Sequence, residues 1–589
     1  MFIRRFLPLL VASLVAAPLV ANENWVARSN EHAQILLDVL ARQSPEAASQ
    51  FGVGDRFDTE VFQLPPDYHA RNIAMLQEAV AKLEAKRAEE KDPRVQQDLE
   101  IMIDSAKHQI KGIRLSEKYD LQYFDLPQSL FHGIRGLLDD QVPAQRRAAA
   151  LVRLNKYGGM EKGYTPVAQQ AIAFIKPGLR SAALQGPFIG ELEKNLGNSA
   201  RYVAGIGELF AKYKIKGYEK PYAALKMQLA DYEAFVRAEI LPRARADFRL
   251  PEEVYRYRLE TSGIDLPVEE LVSRAKTSFR EIQNEMDSVA RLVAKEKGYA
   301  SSDYRAVIRE LKKQQLVGDA ILPHYEKRIA ELEKLIAAGR VVTIPSRPMK
   351  IRLASEAESA ATPAPNMRPP RLIGNTGEVG EFVLPLRIPG EKGSGDTGFD
   401  DFTFDAASWT LTVHEGRPGH ELQFTSLVEK GVSLPRVFFA FNSVNVEGWA
   451  LYMEAEMKPM LPLDGQLISL QHRLMRAARA FLDPGLQLGK LTREEAFRVL
   501  EEDVVLSHAM AMQEVERYTF WAPGQAPSYF YGSQRWMELR TDAERILGRA
   551  FDRQSYHDFA LAQGILSPSL MRQAVMEEYI APRMAKPAP

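Results

Sequence analysis

Over residues 30–250, apolar side chains recur three and four positions apart, as in NIAMLQEAVAKLEAKRAEEK (residues 72–91) and residues 222–243. That spacing puts them on one face of an α-helix, so this half of the chain is committed to packed amphipathic helices. The same pattern covers residues 268–296 and 304–337. Residues 44–64, SPEAASQFGVGDRFDTEVFQL, are rich in turn residues and predict a loop, with Pro65 restarting a helix behind it. Residues 341–402 hold the runs ATPAPNMRPPR and PGEKGSGDTG, through which no helix can persist. Within them VVTIP, MKIRLAS and EFVLPLRIP have the β-branched, alternating character of short strands. A small sheet is expected there, its last strand offering an edge to an extended peptide. Beyond residue 406 the chain is helical to its end, apart from a loop at residues 523–525. The expected architecture is mainly α, a large multi-helical body with a small β-sheet just before the chemical motif. Its segments are 1–21, 22–340, 341–405 and 406–589.

Lysine plus arginine number 76 and aspartate plus glutamate 77, and no long single-sign tract follows the N-terminus, which argues against a nucleic-acid partner. At the N-terminus Arg4 and Arg5 precede an apolar run from Phe6 to Val20 and a small-residue cut site after Ala21. This reads as a signal peptide over residues 1–21, because the run is shorter than the roughly 20 residues of a spanning helix. The mature protein is expected in the periplasm or outside the cell, without stable membrane insertion. With no cysteine in 589 residues, disulfides, thiolate metal sites and a lipid-bearing cysteine are excluded.

The sharpest chemical signal is WTLTVHEGRPGHELQ, residues 409–423. In the familiar H-E-x-x-H helix two histidines four residues apart share a face, and the glutamate between them reaches a water at the metal. Here position 418 is proline and the second histidine is His420, six residues after His414. On a straight helix six residues turn about 600°, so both could not reach one ion. Pro418 cannot donate to the His414 carbonyl and disfavours helical backbone at Arg417, while Gly419 permits an unusual one, so a break at residues 417–419 could return His420 to His414. A helix that simply ends at Pro418-Gly419, leaving two unrelated histidines, is the blander alternative. A second segment, NSVNVEGWALYMEAE (residues 442–456), supplies Glu447 as a third ligand, since catalytic zinc commonly takes two histidines and a carboxylate. Glu454 and Glu456 read as solvated helix charges, and Gly448 suggests close packing against another backbone.

The pair HEGRPGHELQ and EGWALYMEAE resembles the signature of the mostly bacterial family catalogued as domain of unknown function 885, grouped with glutamate-ligand zinc metallopeptidases. The resemblance covers most of the chain and is strongest over residues 406–532. It implies a mostly helical fold with a deep central groove, like that of the oligopeptidases and the angiotensin-converting type of dipeptidyl carboxypeptidase. It also implies one zinc per chain on His414, His420 and Glu447, with Glu415 as catalytic base. A peptide or related amide bond is then the natural target, with zinc polarising its carbonyl.

A third cluster, EVERYTFWAPGQAPSYFYGSQRW (residues 514–536), resembles the family's R-Y, P-G-Q-A and S-Y-x-x-G motifs. Tyr529 is the candidate donor to a developing oxyanion. Arg517, Tyr518, Gln525 and Arg535 are candidates for holding substrate carboxylate or backbone. The chain departs from the family over residues 476–495, where Pro484, Gln487, Lys490 and Leu491 replace a small polar residue, histidine, glycine and tryptophan. Asp483 there is a candidate partner for Arg479 or for a metal-ligating histidine. His472 and His508, each within an amphipathic helix, read as structural. The expected activity is hydrolysis of short peptides in the cell envelope. The alternative is a peptide-binding protein of the same fold without chemistry, favoured by the Gln487 departure.

Overall fold

The computed structural model describes residues 25–385 and 399–585. The expected signal peptide and the end of the third expected strand lie outside the described residues. The fold is mainly α. Amphipathic helices open the chain, beginning with Trp25–Gln43, Tyr68–Glu89 and Pro93–Tyr119, whose apolar faces meet in one cluster around Leu76, Leu83, Leu99 and Met102. A second cluster joins Leu126–Arg135, Ile189–Lys212 and Glu219–Phe235. Residues 44–64 are more regular than their turn-rich composition suggested, with a helix at Pro45–Phe51 started by the proline and a 3₁₀ turn at Asp55–Thr59.

The hydrophobic core runs across residue 340 without interruption. Val268–Lys297 and Tyr304–Lys312 pack with Asp405–Leu411 and Leu463–Gln487 in the largest cluster. Leu463–Gln487 is the central pillar, covered nearly all round, so even its Arg476, Arg479 and Asp483 are buried. Charges held in such a helix need internal partners, and they mark where the interior is polar.

The expected sheet forms, with differences. Its strands are β1 (Lys350–Leu353), β2 (Asn366–Arg368) and β3 (Glu381–Leu384), in the order β1-β3-β2, with β1 parallel and β2 antiparallel to β3. The strand expected at residues 341–345 is absent; Val341 and Val342 are buried as a non-strand segment, since β-branched residues also suit a packed loop. β2 arises instead inside the proline-rich run read as loop, where prolines on either side leave three residues free to pair. The expectation that the last strand offers an edge is corrected: β3 is paired on both sides. The backbone that borders the groove is that of β2 and the segment before it, with Pro363, Asn366 and Met367 in its wall.

A groove of about 840 Å³ runs between the first helical clusters and the C-terminal half. One wall carries Gln109, Asn195, Asn198 and Tyr202; the other carries Phe424, Phe438, Phe439, Arg517, Gln525 and Tyr529. Among the described residues no helix is long and apolar enough to cross a membrane.

Candidate metal centre

The histidine segment does not continue as one helix. Asp405–Leu411 widens into a π-turn at Thr412–Gly416, Arg417 turns extended at φ −118° and ψ 134°, and a new helix begins at His420. The proline has no N–H for the ladder, so the bridging bond comes from Gly419, whose N–H donates to the Val413 carbonyl at 2.9 Å. Only glycine fits there, because a Cβ would lie 2.1 Å from the His414 carbonyl oxygen. The Trp449 indole donates to the Pro418 carbonyl at 3.0 Å and ties the break to the next helix, Ser443–Met457. The two imidazoles are thereby brought to a centroid separation of 4.7 Å.

Glu447 completes the set. Its carboxylate lies 3.1 Å from His420 Nε2 and 3.6 Å from His414 Nε2, and one donor atom from each of the three residues falls within 4.8 Å of the others. Ser443–Met457 can bring Glu447 this close because it crosses Pro527–Leu547 glycine on glycine. A Cβ on Gly448 would lie 2.5 Å from the Gly532 backbone, which bears out the close approach expected at Gly448.

Glu454, expected in solvent, is fully buried and is corrected to an inner role. It takes His414 Nδ1 at 2.7 Å and the Thr410 hydroxyl at 2.7 Å. This contact fixes the His414 ring so that Nε2 faces Glu447, the arrangement seen when a carboxylate orients a metal-binding histidine. Glu454 stands seven residues after Glu447, two helical turns on the same face, and that spacing was the available signal.

The donor chemistry fits a divalent cation. Three carboxylates, Glu415 and Glu454 buried and Glu447 half-buried, surround two imidazoles, a cluster that needs positive charge. Burial opposes the imidazolium of His414, yet Glu447, Glu454 and Glu415 outweigh it and push its pKa up to about 9. Burial likewise opposes ionisation of Glu447, but His420 and His414 hold its carboxyl well below the usual range. For Glu454, Arg476 and His414 overcome burial and lower the value to about 2. Glu415 moves the other way: burial raises it, against the pull of His414 and His420. Two imidazoles and one carboxylate suit zinc, and His420 and Glu447 of this set line the groove.

Glu415, His420, Glu447 and Tyr529 all line the groove. The Tyr529 ring stacks parallel to His414 at 6.2 Å, and its hydroxyl receives Arg517 Nη1 at 3.3 Å. Arg517 also donates to Gln525 Oε1 at 2.9 Å, and both line the groove. Tyr518 and Arg535 are corrected. Tyr518 is wholly buried, with its hydroxyl on Glu514 at 2.6 Å, and Arg535 pairs with Glu538 at 3.0 Å away from the groove. Both follow from helical phase, since each points to a different side of its helix from Arg517 and Tyr529. Asp483 does not reach Arg479; it accepts from the Tyr255 hydroxyl at 2.8 Å and from the Gly524 N–H, while Arg479 pairs with Glu514. Gln487 accepts from the Leu250 N–H at 3.0 Å and donates to the Tyr518 carbonyl at 2.7 Å, so it ties backbone segments together outside the groove.

A variant checks the role of Glu454. Glu454→Gln keeps an acceptor for His414 but removes the charge, and metal affinity should fall by about 10- to 100-fold in a chelator competition. Unchanged affinity would mean that the His414–Glu454 contact contributes only to packing.

Residues 45–575 match the family model described as a bacterial protein of unknown function, DUF885. No curated protein matches the chain. Among solved structures, a "putative lipoprotein" from Colwellia psychrerythraea has TM-score 0.72 at 19% identity, covering 93% of this chain and 98% of that one. A second, of unknown function, from Shewanella oneidensis has TM-score 0.69 at 18% identity, covering 93% and 100%. At such identities the likeness is one of fold, and the present sequence has no cysteine to carry a lipid. With 531 of its 589 residues spanned by that model, and the HEGRPGH and EGWA segments meeting in one centre, the chain belongs to the DUF885 family.

Proposed function

We propose that this protein is a zinc-dependent hydrolase of peptide or related amide bonds, acting on short flexible peptides in the periplasm or outside the cell. One observation carries the reading: two imidazoles and a carboxylate converge within 4.8 Å beside an uncommitted Glu415 in a groove of about 840 Å³. A zinc ion on His414, His420 and Glu447 would polarise the scissile carbonyl and acidify a nearby water. Glu415 takes that water's proton on its carboxylate and returns it to the leaving nitrogen. The Tyr529 hydroxyl donates toward the negative charge that develops on the carbonyl oxygen, with Arg517 keeping the phenol oriented. Burial raises the Tyr529 pKa, so the hydroxyl stays protonated for this task. The groove's phenylalanines shield the reacting bond from bulk water, and a volume of about 840 Å³ suits a short peptide rather than a folded protein.

A peptide binder without chemistry is the other reading. Its support was the Gln487 departure, and Gln487 is engaged in backbone contacts outside the groove. Elemental analysis of the purified protein and of His420→Ala tests the proposal. About one zinc per chain in the wild type, lost in the variant, is the expected result. Wild-type protein that takes up no transition metal when zinc is supplied would favour the binding protein instead.

A further inference from the structure

Behind Tyr529 lies a second, smaller cavity of about 70 Å³, distinct from the groove but sharing Glu415, Arg517 and Tyr529 with it. Its volume is several times the roughly 10–15 Å³ that admits one water, enough for a carboxylate and little more. Three guanidinium groups line it, from Arg476, Arg479 and Arg517, and they surround the Tyr529 ring at 5.8, 4.3 and 5.9 Å. Arg476 and Arg479 are buried and Arg517 is half-buried, and cations withdrawn from water need anions to meet them.

The protein's own carboxylates leave several of their donor atoms unmet. Arg479 is satisfied by Glu514 in a bidentate pair at 2.6 and 2.7 Å. Arg476 comes no nearer to Glu454 than 4.0 Å, and that glutamate is already engaged by His414 and Thr410. Asp401, at the edge of the cavity, is bound to Lys312 at 2.7 Å. Glu415 is the remaining acid in the lining, and it stands against the two histidines. Arg517 forms no salt bridge among the described residues; its Nη1 serves Gln525 and Tyr529, while Nε and Nη2 make no hydrogen bond there. Arg476 Nε and Arg479 Nη1, both in buried side chains, also lack an acceptor among the described residues. The chamber is thus a pocket with spare cationic donors, and His414 of the candidate metal set stands in its lining.

We propose that this chamber receives a carboxylate of the bound peptide, held by the Nε–Nη2 edge of Arg517 within the field of Arg476 and Arg479. The carboxylate is either the α-carboxylate of the last residue or an aspartate or glutamate side chain at the same place. The fork of a guanidinium matches the two oxygens of a carboxylate, which a neutral amide cannot replace. This reading rests on the groove being a peptide site, and it adds the chemistry by which that site selects among peptides.

The test is calorimetric binding to zinc-loaded full-length Glu415→Gln. The probes are an alanine-rich pentapeptide as free acid, the same peptide as C-terminal amide, and two amidated peptides ending in Glu or Gln. The free acid should bind about tenfold or more tightly than the amide, and adding Arg517→Gln should close the gap while Arg517→Lys keeps part of it. A preference for amidated Glu over amidated Gln that vanishes with Arg517→Gln would also support the chamber and assign it to an acidic side chain. Equal binding of all four peptides, or a carboxylate preference that survives Arg517→Gln, overturns the proposal. The same peptides given to wild-type protein separate the two readings. Carboxylate-selective binding without hydrolysis would retain the chamber and remove the hydrolase, whereas equal hydrolysis of all four peptides would do the reverse.

Discussion

Glu415→Gln should lower turnover by about 10²- to 10⁴-fold while zinc remains stoichiometric, because the substitution removes a base and leaves the ligands in place. The geometry separates the two duties. Glu447 lies 3.1 and 3.6 Å from the two imidazoles, whereas the Glu415 carboxylate is 4.0 Å from His414 Nε2 and is not one of the three converging donors. Glutamine has nearly the same shape, so the pocket should close around it without repacking. Single-turnover cleavage of a peptide pool, read beside elemental analysis of the same sample, checks both halves of the expectation. A variant with wild-type rate would remove Glu415 from the role of base, and one that loses its zinc would make it a ligand.

The second large effect concerns a residue that touches no substrate. Gly532→Ala should destabilise the protein by about 2 kcal/mol or more and weaken metal binding with it. A Cβ at Gly532 would lie 2.0 Å from the Val444 carbonyl oxygen and 2.7 Å from the Gly448 Cα, so one helix must move off the other. Alanine's better helix propensity returns at most about 1 kcal/mol, less than the clash costs. The displaced helix carries both Glu447 and Glu454, which is why the damage should reach the metal. Gly197→Ala is the contrasting case: it is an exposed position within Ile189–Lys212 where an added Cβ meets nothing within 4 Å, so the change should stabilise by up to about 1 kcal/mol. Thermal melts of the two variants with opposite signs are expected. A neutral Gly532→Ala would show that the crossing yields easily.

The helical class was legible in the sequence because a 3.6-residue period is local: neighbours on one chain segment reveal it without knowledge of any partner. The break between His414 and His420 was legible for the same reason, since a proline's missing N–H and a glycine's missing Cβ act on their own backbone. Local chemistry also offered Glu447 as the carboxylate that two histidines need to complete a ligand set. Tertiary packing decided the rest. Glu454 and Glu456 look alike in sequence, and only the packing of their helix sends Glu454 to His414 at 2.7 Å while Glu456 comes within 3.6 Å of Arg540 and Arg553. The four prolines within residues 363–370, which argued against a strand there, could not forbid a three-residue pairing once β3 was alongside. Tyr518 and Tyr529 carry the same hydroxyl, yet their helical phases put one on buried Glu514 and the other beside His414. The arginine chamber is likewise a product of the fold, gathered from Leu463–Gln487 and residue 517, segments whose separation in sequence conceals that their charges share one space. Sequence alone determined what each segment could form and which atoms could bind a metal; which side chains face one another is a property of long-range packing, and only the folded chain decides it.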